Sequence, residues 1–316
     1  MIVSKCPVRI SLAGGSTDLD NFVSKYGKGT VISFSADIFT YITLKTDRLG
    51  LNGLEKKYVI DYMKREVTEN IADIKNDVAR VSFDHFKMNP TTVWFTSDIY
   101  ASGSGLASST SYLISLVNAL SFVAGKNLNK REICKLAHQL EKKFNPLIGY
   151  QDSYGCGMGG FNKFEFHKNG AVFIESLDTS ILEHFDMFLI QTGLERSSTD
   201  VLKTIDPEKC FPLLDIAEEM HRSIVNHDVE KFLRLINEGW SIKKKTGKIA
   251  DNSIVMSLDK ELSECPQVLA HRLLGAGNGG YFLIFSKKNE KLQLNIKQKL
   301  VKVNVFHEGP LITEVK

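Results

Sequence analysis

Gly103-Ser104-Gly105-Leu106-Ala107-Ser108-Ser109-Thr110-Ser111 leads into a run, Tyr112 to Val123, that carries Leu113, Ile114, Leu116, Val117, Leu120 and Phe122. A helix apolar on most faces belongs in a core. Ser108 to Ser111 are good N-cap candidates for it. Gly103 and Gly105 let the preceding loop turn tightly and bring backbone N–H groups close to a guest. A helix N-terminus behind such a loop presents unpaired donors and partial positive charge, a setting that holds phosphate. A small-residue turn before a buried helix is the competing reading of the same letters. No Gly-Lys-Ser/Thr follows, so this is not a Walker loop. If phosphate binds, backbone amides and hydroxyls must hold it, with a metal neutralising the rest.

The 316 residues allow one large domain or two ordinary ones, with 43% apolar and 24% charged residues. A net charge of +3 gives no basic footprint for nucleic acid. Five cysteines, Cys6, Cys134, Cys156, Cys210 and Cys265, form no Cys-x-x-Cys pair and read as reduced thiols of a cytoplasmic protein. The start does not resemble a signal peptide, and no apolar run approaches the length of a membrane span. The eight histidines lack metal spacing and read as structural or solvated.

Outward from the loop, alternation over Val8 to Ala13 predicts a strand with Arg9 and Ser11 on one face. Helices are expected at 18–26, 76–86 and from Asn129 to about Phe144, with strands at 30–35, 39–45, 57–62 and 93–95. Asn169-Gly170 predicts a hairpin between 161–166 and 171–174. A second unit is expected from Asp178, giving domains 1–177 and 178–316 around a shared cleft. Its strands are 185–191, 268–274, 281–285 and 301–306. Its helices are 197–204, 211–226, 229–245, 254–263 and 290–300. Lys243-Lys244-Lys245 reads as a solvated helix face, with phosphate contact the lesser reading.

Gly155-x-Gly157-x-x-Gly160 and Gly275-x-Gly277-x-x-Gly280 fit the dinucleotide fingerprint by spacing alone. That fingerprint needs a helix after it, and strand-like 161–166 and 281–285 follow instead. Taken in order, Pro7-Val-Arg-Ile-Ser-Leu-Ala-Gly-Gly-Ser-Thr-Asp18, Gly103-Ser-Gly-Leu-Ala-Ser-Ser109 and Leu274-Gly-Ala-Gly-Asn-Gly-Gly-Tyr-Phe282 resemble the three blocks of the GHMP kinases. That superfamily includes galactokinase, homoserine kinase and mevalonate kinase. The likeness spans the chain. Leu12-Ala-Gly-Gly-Ser-Thr-Asp18, Gly149 to Gly155, Gln191 to Ser198 and Trp240 to Lys245 are similar to the sugar-1-kinase branch acting on D-glycero-D-manno-heptose 7-phosphate. Three positions depart from the family pattern: Tyr100-Ala101-Ser102 stand where proline is usual, Asn278 replaces a glycine, and Gly15-Ser16 replace the Glu-His of galactokinases.

The resemblance implies an α+β, two-domain fold, with an N-terminal domain like that of a small-subunit ribosomal protein and a ferredoxin-like C-terminal domain. It implies ATP and Mg²⁺, a small-molecule sugar phosphate as partner, and a monomer or homodimer without nucleic acid or membrane. Asp152 would be the catalytic carboxylate that accepts or orients the proton of the sugar hydroxyl, with Arg9 beside it. Gly103, Ser104, Gly105, Leu106, Ala107, Ser108 and Ser109 would hold the nucleotide phosphates. Ser109 and Glu141 would be the Mg²⁺ ligands. Gly15, Ser16, Thr17 and Asp18 would line the sugar wall, Arg196 would meet a distal phosphate, and Gly275 and Gly277 would bring backbone close to the centre. A helix cap at Asp18 or Asp152, an outward arginine at position 9 and an exposed Glu141 are the bland alternatives. Another GHMP kinase, or a non-catalytic sugar and ATP sensor, are the competing functions.

Overall fold

The computed structural model describes residues 1–45, 56–99, 103–194, 198–294 and 298–315. In chain order the elements begin β1 (Ile2–Ala13), α1 (Asp20–Tyr26), β2 (Lys28–Lys45), β3 (Tyr58–Asp61), β4 (Arg65–Thr68), α2 (Asp77–Phe86), β5 (Thr92–Ser97) and α3 (Ser108–Val123). Next come α4 (Lys130–Glu141), α5 (Gln151–Gly157), β6 (Phe161–His167), β7 (Val172–Ser176), β8 (Phe185–Gln191), α6 (Ser198–Leu202), α7 (Pro207–Val225) and α8 (Val229–Lys243). The chain closes with α9 (Ser253–Glu264), β9 (Val268–Leu273), β10 (Tyr281–Lys287), β11 (Leu300–Val303) and β12 (Leu311–Glu314).

The two strands expected at 30–35 and 39–45 are one strand. β2 runs for 18 residues and pairs along one edge with β1. Its other edge takes β6 over Lys28–Phe34 and β5 over Thr40–Lys45. The large sheet has eight strands, in the order β12-β1-β2-β5-β3-β4 with β6 and β7 branching from β2. A second, four-stranded sheet runs β11-β8-β10-β9 and is antiparallel throughout. β12, although C-terminal, leaves that sheet and pairs with the start of β1.

Helix α3 packs on β1 and β2 with α2 and α4, and Leu113, Leu116, Val117 and Leu120 are fully buried there. On the opposite face of the large sheet, Val8, Ile10, Leu12, Ile32 and Phe34 meet Phe185, Met187 and Leu189 of β8 and Ile216, Met220, Phe232 and Ile236 of α7 and α8. A β-bulge between Pro7 and Arg9 interrupts the β1–β2 register. There Val8 alone stands opposite Ala36, Asp37 and Ile38 of β2. Across this point the alternation of β1 changes face: Cys6 packs among the helices, whereas Val8, Ile10 and Leu12 face the second sheet. Arg9 is thereby left on the helix side.

Two expectations fail locally. No helix is present among the described residues of 290–300. Lys291-Leu292-Gln293-Leu294 alternates exposed and half-buried, and Leu292 and Leu294 pack at a spacing of two against the small sheet. Helix α3 is not capped by a serine. Its N-cap is Ala107, in the left-handed region at φ 62°, with no side-chain cap. The serines are spent elsewhere: Ser111 Oγ lies 3.0 Å from the Cys6 carbonyl oxygen and 2.7 Å from Thr40 Oγ1, and Ser108 pairs with Ser104.

Candidate active site

Arg9 organises the site. Its backbone N–H donates to the Leu106 carbonyl at 3.2 Å, and Nη1 donates to the Gly105 carbonyl at 2.6 Å. Nε and Nη2 both donate to Asp152 Oδ1, at 3.0 and 2.8 Å. One buried guanidinium therefore fastens the glycine loop and the acidic first turn of α5 to the same strand. Burial opposes the Arg9 charge, and the Asp152 carboxylate more than offsets that, so its pKa is raised. Asp152 Oδ1 is used by Arg9, which leaves Oδ2 for the cleft that Asp152 lines.

That cleft, about 360 Å³, falls within the size range of small-molecule sites. Both halves of the chain line it. Arg9, Ser16, Asp18, Gly103, Ser104, Gly105, Ala107, Ser108, Ser109, Glu141 and Asp152 face it from one side, and Lys243 and Gly275 from the other. Of the six non-glycine residues with positive φ among the described residues, Ser16 (82°) and Ala107 (62°) sit on its wall. Such strain clusters where surrounding structure enforces it for a purpose.

Asp18 is not the N-cap of α1, which is Leu19; it reaches instead to the first turn of α5. Its carboxylate accepts the N–H of Ser16 at 3.1 Å and of Gln151 at 3.0 Å, tying the wall 15–18 to the residue before Asp152. Burial raises its pKa to about 6, with Asp152 adding to the rise against those N–H bonds. Glu141 is buried as well. Thr110 Oγ1 donates to its Oε2 at 2.7 Å. Burial, then the Asp152 charge, push its pKa up to about 8. In the absence of a cation the native state thus holds a proton that the unfolded chain loses in the usual carboxylate range. Stability conferred at this position therefore falls as pH rises from about 5 to 8. We expect urea titrations of metal-free protein to show wild type losing ground to Glu141→Gln across that window; a pH-independent difference would contradict it.

Five expected residues are turned elsewhere, or lie outside the described residues. Thr17 is fully buried; its hydroxyl donates to the carbonyls of Gly14 and Thr30 and accepts the Thr30 N–H, which ties the wall to β2 rather than to a guest. Leu106 is a core residue whose N–H donates to Ser104 Oγ at 3.2 Å. Gly277 faces Ile249, because a Cβ there would stand 2.7 Å from the Ile249 carbonyl oxygen. Arg196 lies outside the described residues. Gly15 does not line the cleft itself but stands beside Lys243.

Other residues enter the site unannounced. Gly280 (φ 95°) presses on the phosphate-type loop: a Cβ would meet the Ser104 carbonyl oxygen at 2.3 Å. Gly280→Ala must push that loop aside, and a displacement near 1 Å costs ~10²-fold in kcat/KM. If the loop 103–109 holds a nucleotide, as the resemblance implies, its KM should rise with the substitution while that of a second substrate changes less, which steady-state kinetics would reveal. Asn278, standing where the family has glycine, holds φ 55° and uses its side chain to bind the N–H groups of Asp251 and Asn252 and the Lys248 carbonyl. Asparagine tolerates that conformation.

Lys243 overturns the solvated reading of its run. It is 3% exposed, and Nζ donates to the Gly275 carbonyl at 2.7 Å. Burial, with Arg272 and Arg9 nearby, lowers its pKa to about 7. Lys244 pairs instead with Asp259 at 2.7 Å, and Lys245 is exposed. The readable signal was helical spacing: Phe232, Leu235, Ile236, Gly239 and Trp240 form the buried stripe of α8, and the next turn reaches 243. Among the described residues, no three histidines, cysteines or carboxylates cluster as a metal site, none of the five cysteines is bonded, and no helix is long and apolar enough to cross a membrane.

Residues 65–160, which hold the glycine loop, Glu141 and Asp152, match the family described as GHMP kinases N terminal domain. The chain is similar to D-glycero-alpha-D-manno-heptose 7-phosphate kinase of Campylobacter jejuni, 24% identical over 93% of this chain and 91% of that one. It is also similar to galactokinase of Thermotoga maritima, 22% identical over 96% of each. Among solved structures it superposes on a D-glycero-D-manno-heptose 1-phosphate kinase from Bacteroides thetaiotaomicron with TM-score 0.78 and 20% identity, covering all of both chains. Galactokinase of Lactococcus lactis follows with TM-score 0.73 and 14% identity, over 98% of this chain and 95% of that one. The chain therefore has the GHMP kinase fold along its whole length, and its residues 65–160 match the N-terminal domain of those kinases.

Proposed function

We propose that this chain transfers the γ-phosphoryl group of ATP to the anomeric hydroxyl of a sugar, D-glycero-D-manno-heptose 7-phosphate above all, forming the 1,7-bisphosphate. The observation that carries the reading is the Arg9 guanidinium, bonded at once to the Gly105 carbonyl and to Asp152 Oδ1. Phosphoryl transfer asks the protein chiefly for positioning and charge. Arg9 supplies both, because it sets the distance between the loop that holds the donor and the carboxylate that meets the acceptor.

In this reading the first-turn N–H groups of α3 and the loop 103–109 hold the phosphates. Asp152 Oδ2 orients the acceptor hydroxyl and takes its proton as the oxygen attacks phosphorus. Ser109 and Glu141 would hold Mg²⁺ between them, and the ion would neutralise phosphate charge when bound. The fit rests on Glu141: a buried carboxylate with one neutral donor and a raised pKa is short of positive charge. The wall of Ser16 and Asp18 takes the sugar. Five unbonded thiols suit a reducing compartment such as the cytoplasm.

The reading is tested by coupled ADP release with heptose 7-phosphate, heptose, galactose, fucose and mevalonate. The phosphorylated heptose should give the highest kcat/KM, with phosphate found at the anomeric carbon. A faster unphosphorylated sugar would remove the substrate; ATP binding without transfer to any acceptor would favour a sensor.

A further inference from the structure

Three polar atoms from three elements converge where residue 15 has no side chain. A Cβ on Gly15 would stand 3.4 Å from Ser11 Oγ, 3.5 Å from Lys243 Nζ and 3.6 Å from Gln151 Oε1. Ser11, 3% exposed, has no partner for its hydroxyl among the described residues, and Gln151 Oε1 has none either. Lys243 uses one of its three N–H bonds on the Gly275 carbonyl. Gly15 does not hold the positive φ that only glycine adopts freely, so its consequence here is space, not conformation. Buried polar atoms left without partners call for one. Lys243 and Gln151 also line the cleft beside Asp152.

From this we infer that Lys243, Gln151 and Ser11 form a notch, kept open by Gly15, that binds a hydroxyl of the acceptor adjoining the reacting one, which makes Lys243 a substrate-binding and specificity-determining residue. A hydroxyl can accept from the ammonium while donating to the amide oxygen. An anion would find the ammonium but face Gln151 Oε1 and the nearby carboxylates of Asp18 and Asp152. The depressed pKa of Lys243 agrees with a cation that lacks a full set of partners. The inference rests on the kinase reading above and names a contact inside it.

The test measures kcat and KM for ATP and for acceptor in wild type, Gly15→Ala and Lys243→Met, with a series of monodeoxy acceptors. Both variants should raise the acceptor KM about tenfold or more, since a site built for a hydroxyl is left unpaired, and leave the ATP KM within twofold. One monodeoxy sugar should lose affinity on wild type yet lose nothing further on Lys243→Met, the mark of a shared contact. Thermal unfolding midpoints close to wild type keep Gly15→Ala informative if Lys243→Met folds poorly. An unchanged acceptor KM in both variants, equal shifts in both KM values, or a Lys243→Met effect that vanishes only when the 7-phosphate is absent overturns the notch and leaves the kinase reading standing. Absence of turnover in wild type with every sugar overturns both.

Discussion

Asp152→Asn should lower kcat by about 10²–10⁴-fold, the range over which positioned proton transfer acts, while nucleotide still binds. The substitution is close to isosteric. An amide oxygen in place of Oδ1 can still receive Nε and Nη2 of Arg9, which lie at 3.0 and 2.8 Å. The change falls on the other side of the group, where an acceptor oxygen facing the cleft becomes an N–H₂ donor. A hydroxyl there loses both its proton acceptor and its orientation. The loop 103–109 is anchored separately, through the Gly105 and Leu106 carbonyls on Arg9 and through Ser104 and Ser108. Single-turnover transfer with saturating ATP, read beside a fluorescence measurement of nucleotide binding, separates the two. Turnover within threefold of wild type would remove Asp152 from the reaction.

Why the sequence brings Asp152 and Arg9 to one cleft but predicts a solvated face for Lys243, which is buried, has a physical answer. Local rules carry far where the signal is local. The alternation at Val8 to Ala13 is a strand, the helix expected from Asn129 starts there, and the turn at Asn169-Gly170 does join β6 to β7. The ordered glycine blocks then give the fold, because tight loops against helix starts tolerate few other residues. Long-range closure is different. That Lys25 is exposed while Lys243 is buried depends on what packs over each, and only the second lies under the Gly275 loop. The bulge beside Arg9 is equally silent in the letters, yet it sets which sheet face the guanidinium occupies. Thr17 and Leu106 belong to motif blocks without touching the cleft, since a conserved-looking pattern mixes residues that meet the guest with residues that shape the loop. In the described part of 290–300 the helix fails for the opposite reason: strong helix formers were overruled by Leu292 and Leu294, which pack with strand spacing.

Arg9→Met carries the second large effect, and it differs in kind. Methionine fills the volume of the arginine stem but removes the bonds to Gly105 and Asp152 together. A carboxylate 15% exposed is then left without its cation, which costs about 3 kcal/mol of folding stability. Loop and carboxylate also lose their common support, and kcat/KM should fall by about 10³-fold or more, the scale on which a transition-state arginine acts. Arg9→Lys discriminates between charge and geometry. An ammonium restores a cation beside Asp152, so urea titration should recover much of the lost stability. A single nitrogen offers no planar fork, so it cannot span Gly105 and Asp152 at once, and kcat should stay low. Full recovery of kcat by lysine would mean that charge alone matters and would end the bridging role. The double variant Arg9→Met/Asp152→Asn closes the cycle. If the two side chains work as one unit, its kcat should be no lower than that of the worse single variant, whereas multiplied losses would mean independent roles.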